Sequence, residues 1–133
     1  MESMEQRAAA WCGAAFMFAA LAGCAPAIVA EDAHLVAPAT GLPNRVVQQE
    51  AIIHLSTGFD RRIAAGTQWR FVGTLPQGRV FRAVNTVFAI VGRQEHEAYL
   101  VLDDNRLVGF YLPGVAHFSP LDPPVSLQLG DVR

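Results

Sequence analysis

Glu95-His96-Glu97 is the cluster of ionisable side chains in this chain of 133 residues that most invites a catalytic reading. An imidazole between carboxylates can act as a general base or contribute metal ligands. On a strand, however, Glu95 and Glu97 point to one side and His96 to the other, so the three converge only through a bulge. His96-Glu97 also lacks the second histidine of a His-Glu-x-x-His helix, because position 100 is Leu. Polar residues at a strand end account for the cluster. His34, His54 and His117 are scattered along the chain. A metal site built from His96, His117 and a carboxylate would need the loop after Pro113 to fold back.

The nucleophile candidates beyond the first apolar run are Ser56, Ser119 and Ser126, and none lies in a Gly-x-Ser-x-Gly elbow. Gly73-Thr-Leu-Pro-Gln-Gly78 lacks the Lys-Ser/Thr of a phosphate loop and contains proline. Asp103-Asp104-Asn105 offers two acids and an amide, far short of a calcium loop, and reads as a hairpin turn. No catalytic residue, metal or cofactor is assigned on these motifs. A small periplasmic hydrolase or metal-dependent enzyme using Glu95, His96 or His117 stands as one alternative, and a small-ligand carrier as another.

The elements that would position these residues are β-strands. Val47, Ala51, Ile53 and Leu55 alternate with Val46, Gln48, Glu50 and His54, which fits a half-buried strand over Val46–Leu55 better than the alternative helix. Asp60 to Gly66 reads as a connector. Thr67–Leu75 is a strand with Trp69, Phe71 and Gly73 on one face, and Pro76-Gln77-Gly78 is a turn. Arg79–Val84 and Thr86–Val91 follow as short β segments. Glu97–Leu102 and Arg106–Leu112 flank the Asp103-Asp104-Asn105 turn as a hairpin. Both its strands are apolar on both faces, which points to a central strand, a covered barrel or an interface. Pro120, Pro123 and Pro124 predict an irregular segment, with Val125–Leu129 as a final edge strand.

Five or six short strands separated by turn signals predict a mainly β domain, a small antiparallel barrel or sandwich. The spacing of Gly66, Trp69, Gly73, Gly78 and Gly109 resembles SH3-like bacterial barrels over Gly66 to Leu112; no binding residue follows from it. In so small a fold most aromatics must fill the core. Phe110 and Tyr111 are adjacent and face opposite ways on a strand, so with Trp69 they are the candidates for an exposed interaction surface.

The first apolar run closes on Leu21-Ala22-Gly23-Cys24, after a segment without a charge from Ala8 to Ala30. That arrangement resembles the lipobox of bacterial lipoprotein precursors. The resemblance implies a signal helix over 1–23, cleavage before Cys24, and a diacylglyceryl thioether and amide-linked acyl chain on that cysteine. Two or more acyl chains anchor stably, so the implied partner is the lipid bilayer. Ala25 rather than Asp follows, which implies the outer membrane, facing the periplasm. Ordinary cleavage after Ala27 or Ala30, and an uncleaved anchor, are the competing readings. Glu2 and Glu5 against Arg7 make a weak n-region, which a start at Met4 would render positive.

From residue 24 to 44 the chain is small, proline-punctuated and without apolar period, which predicts a flexible tether. Residues 45–133 then form the single β domain that this length allows. Without residues 1–23 the chain holds nine arginines, ten acids and no lysine. That balance gives no electrostatic footprint for nucleic acid. The leading expectation is an envelope lipoprotein that contacts another envelope protein as a non-catalytic interaction or accessory subunit.

Overall fold

The structure, a computed structural model, describes residues 26–132. The signal segment and the acylation site expected at Cys24 lie outside the described residues. No helix occurs among the described residues, and twelve strands carry the fold. In chain order the first six are β1 (Glu31–Asp32), β2 (Arg45–Val47), β3 (Ala51–His54), β4 (Asp60–Ile63), β5 (Gln68–Leu75) and β6 (Gly78–Ala83). The remainder are β7 (Ala89–Val91), β8 (Glu95–Glu97), β9 (Tyr99–Asp103), β10 (Arg106–Leu112), β11 (His117–Ser126) and β12 (Leu129–Asp131). Eight of them build one antiparallel sheet in the order β1-β11-β10-β9-β6-β5-β2-β12, while β3–β4 and β7–β8 are two-stranded ribbons.

The sheet cannot be flat. Six strand spacings separate β11 from β12 in the sheet order, or about 29 Å at roughly 4.8 Å each. Yet Ser126 ends β11 and Leu129 begins β12, and three Cα steps reach no more than about 11 Å. The sheet therefore coils until β12 returns beside the end of β11. Backbone bonds close the seam: Leu127 N donates to Asn105 O and Gln48 N to Gln128 O, both at 2.8 Å. No ladder joins β1 to β12, so the expected β architecture is an open, coiled sheet backed by ribbons, not a closed SH3-like barrel.

Apolar side chains on both faces explain which strands are central. Leu100, Leu102, Phe110 and Leu112 enter the larger core, together with Trp69, with Phe88 just before β7, and with Ile53, Ile63 and Ile90 from the ribbons. Val101, Tyr111 and Phe118 enter a smaller core with Val80 and Leu75 on the other face. The β9–β10 hairpin thus behaves as its two-sided apolarity predicts: it is interior to the sheet and covered twice. Asp104 at its turn has φ 54°, the left-handed side that tight hairpin turns use.

Several local expectations change. The β5–β6 register shifts between Phe71 and Gly73, and the β10 registers shift between Leu107 and Gly109. Bulges add a residue and reverse the face that follows. Gly73 accordingly meets Leu35 and Val36 instead of sharing the side of Trp69 and Phe71. Leu107 joins Phe110 and Leu112 in the larger core, while Val108 packs against the smaller one. Asp60–Ile63 is a strand, not a connector, because pairing with Ala51–His54 carries Ile63 into the core. Val46–Leu55 divides into β2 and β3. The proline-rich segment belongs to β11, whose register against β10 passes from Pro120 to Val125 with Leu121 buried.

The largest change concerns the tether expected over 24–44. Ile28 and Ala30 pack against the larger core, and Ala33 and Leu35 against the smaller. β1 pairs with β11, and Val36 and Thr74 exchange backbone bonds of 3.0 and 2.9 Å. The packed unit therefore begins by Ile28, ahead of Arg45. Four spaced apolar residues suffice because β11 offers an edge to pair with and the two cores offer apolar faces to cover. Ala37 to Pro43 remain exposed.

Candidate functional site

An enclosed concavity lies where the N-terminal strap (residues 28–36), the tip of the β3–β4 ribbon and β11 meet. It is a cavity of about 210 Å³ walled by Ile28, Leu55, Ile90, Phe110 and Leu121, with His54, Ser56, Thr57, Ser119 and Asp122 as its polar contributors. Two of the hydroxyls that line it are engaged with backbone. Ser119 Oγ donates to the Val29 carbonyl at 2.7 Å, and Thr57 Oγ1 to the Val91 carbonyl at 2.8 Å. Each satisfies a backbone acceptor, which is what a buried hydroxyl needs, and neither is poised against a base. His54 Nδ1 lies 2.7 Å from Asp60 Oδ1 on the solvent side of the ribbon. That orients the imidazole, yet no hydroxyl among the described residues bonds to it. The cavity falls short of the roughly 300–1,000 Å³ usual for small-molecule sites, though apolar cavities of about 150 Å³ can admit a benzene-sized group.

The Glu95-His96-Glu97 cluster forms β8, pairing with Val91, Ile90 and Ala89 in turn. Regular pairing gives the alternation that separates His96 from the two glutamates. His96 and His117 do border one groove of about 330 Å³, with Ala27, Ile28, Arg93 and Val115. His117 Nε2 is 2.9 Å from Asp32 Oδ1. Among the described residues no group of three or more His, Cys, Asp and Glu side chains could hold a metal ion.

At the opposite end of the sheet a wider cleft of about 640 Å³ is lined by Arg45, Arg79, Asp103, Asp104 and Asn105. Its two arginines are matched in number by its two aspartates. Arg45 Nη2 donates to Asn105 Oδ1 at 2.9 Å, and its Nε lies 3.0 Å from Asp131 Oδ1 as an ion-pair contact without hydrogen-bond alignment. Asp103 and Arg106 pair across the turn, so Asp103-Asp104-Asn105 is a hairpin turn, as the sequence suggests.

Trp69, Phe110 and Tyr111 do not form an exposed interaction surface. They are 2%, 1% and 7% exposed and belong to the two cores. Trp69 meets Phe88 edge-on at 5.3 Å, and Phe110 stacks on Phe88 at 6.2 Å. Phe110 and Tyr111 do face opposite ways, but both faces of β10 are covered. The smaller core continues toward Tyr99, whose ring has the Arg82 guanidinium 5.9 Å from its centre. Burial, and then the Glu97 carboxylate, raise the Tyr99 phenol above its ordinary pKa, while Arg82 opposes them.

The exposed apolar side chains lie elsewhere. Ile52 is 45% exposed on the outer side of the β3–β4 ribbon, and Phe59 is 44% exposed at its tip. Arg62 stands opposite Ile52, and His54 opposite Asp60; Arg62 Nε is 3.3 Å from Glu50 Oε2. The sequence holds one faint signal for this face: the β3 alternation puts an isoleucine on the outward side, where a polar residue is usual. Comparison with protein-family models, curated proteins and solved structures finds no match to this chain.

Proposed function

We propose that this chain is a lipid-anchored protein of the bacterial cell envelope that works as a non-catalytic interaction or accessory subunit. Acylated Cys24 would hold it in the bilayer, with Ala25 after it favouring the outer membrane and a periplasmic orientation. The observation that carries the interaction role is the outer face of the β3–β4 ribbon. There Ile52 stands exposed among Glu50, His54, Asp60 and Arg62. An apolar anchor ringed by charged groups matches the core-and-rim arrangement of protein interfaces. The engaged hydroxyls of Ser119 and Thr57 fit the same reading, since each is committed to a backbone carbonyl and stabilises the fold.

Two measurements test it. Intact mass of the membrane-fraction protein should match residues 24–133 plus acyl chains, and Cys24→Ser should abolish that species. A photo-crosslinker at position 52 in living cells should give a discrete protein adduct that one at exposed Arg79 does not. An unacylated product overturns the anchor; absence of any adduct at 52 overturns the contact face.

A further inference from the structure

Because the strap is docked, the distance between lipid and domain is fixed by very little chain. Cys24 stands four Cα steps before Ile28, a reach of no more than about 15 Å. A free coil from 24 to 44 would instead have a root-mean-square span of about 25 Å. Ile28 is held firmly. It packs on the larger core, its neighbour Val29 accepts the Ser119 hydroxyl, and a Cβ on Gly92 would come within 2.8 Å of its Cγ1. Ala27 emerges beside Arg93, Gln94 and Val115 at the groove between the 91–95 and 113–116 turns. Val115 is 44% exposed at one turn tip and Arg93 is exposed at the other. An apolar tip beside a guanidinium suits a headgroup layer, where apolar groups enter the interface and arginine meets phosphate.

We infer that this end of the domain lies against the membrane surface, with the 113–116 turn and Arg93 touching lipid headgroups, and that it does not hang on a long tether. The inference rests on the acylation of Cys24 proposed above. It makes orientation a property of the fold: the Asp103-Asp104-Asn105 turn points away from the bilayer. β10, seven residues from Arg106 to Leu112, separates that turn from the groove, by about 20 Å at roughly 3.4 Å per residue.

The test uses the acylated protein in vesicles of phosphatidylethanolamine and phosphatidylglycerol carrying a nitroxide on the headgroup. Cys12 leaves with the signal and the Cys24 thiol is a thioether, so one introduced cysteine is the only free thiol. Val115→Cys and Asp104→Cys, each bearing a fluorophore, are compared after intact mass has confirmed the acyl chains. Quenching several-fold stronger at 115 than at 104 is expected. Inserting about twenty glycine and serine residues before Pro26, enough for a flexible coil, should erase the difference. Equal quenching at both positions in acylated protein overturns the orientation and leaves the anchor standing. A mass without acyl chains overturns both.

Discussion

Replacing Gly92 by alanine, alone and together with Ile28→Ala, tests whether the strap is docked. Gly92 is buried in the turn joining β7 to β8. Where the backbone suits alanine, exchanging glycine for it stabilises by about 0.4–1 kcal/mol through the unfolded chain. The added Cβ would here sit 2.8 Å from Ile28 Cγ1, 2.9 Å from Thr57 Cγ2 and 3.1 Å from the Ile28 amide nitrogen. Relief requires Ile28 to shift, because it crowds the Cβ with both its side chain and its backbone amide, whereas Thr57 meets it with a methyl alone. Full burial of an isoleucine contributes about 1.5–3 kcal/mol; Ile28 is partly buried, so its displacement forfeits part of that. Loss of the Ser119–Val29 bond adds about 0.5–1.5 kcal/mol. The net expectation is a destabilisation of about 1–2 kcal/mol, or a fall in Tm of about 5–10 °C for a domain of this size. Urea and thermal unfolding of residues 24–133 carrying Cys24→Ser measure it. Ile28→Ala in the same background completes a double-mutant cycle, with a coupling of at least about 0.5 kcal/mol expected for residues in contact. A Gly92→Ala protein as stable as its parent, or strictly additive with Ile28→Ala, would falsify the docking of the strap.

Trp69→Ala should cost about 3–5 kcal/mol in urea unfolding, because its ring is 2% exposed against Phe88; a change within about 0.5 kcal/mol, typical of surface positions, would contradict its burial. Ala116 has φ 53°, so Ala116→Gly should stabilise by about 1 kcal/mol through relief of the left-handed conformation; a lower urea midpoint would refute that. The raised pKa of Tyr99 has a definite sign. Its contribution is fully present below the ordinary phenol pKa and is lost as pH rises through the raised folded value, since the folded state holds the proton longer. Unfolding midpoints of Tyr99→Phe should fall less steeply with alkali than those of the parent, and parallel slopes would exclude the effect.

Much of the central sheet was legible in the sequence. Glu97–Leu112 announces an interior hairpin because residues of both parities are apolar, which only a strand covered on both faces tolerates. The separation of His96 from Glu95 and Glu97 was legible too, because strand alternation is a local property. The fate of Trp69, Phe110 and Tyr111 was not, since a side chain's parity says which way it points but not what covers that side. Nor could alternation survive the bulges at Phe71–Gly73 and Leu107–Gly109, each of which moves later residues to the other face. Asp60–Ile63 has one apolar residue, and only its partner strand makes it β.

By itself the sequence determined a mainly β domain, its central hairpin, and an N-terminal segment resembling an exported lipoprotein's. Tertiary structure alone decided that residues 28–36 close over the sheet and that the sheet coils until β12 meets β11. It also buried Trp69 and left Ile52 exposed. Local pattern reports which residues must leave water, whereas the surface that receives them is assembled from strands distant in the chain.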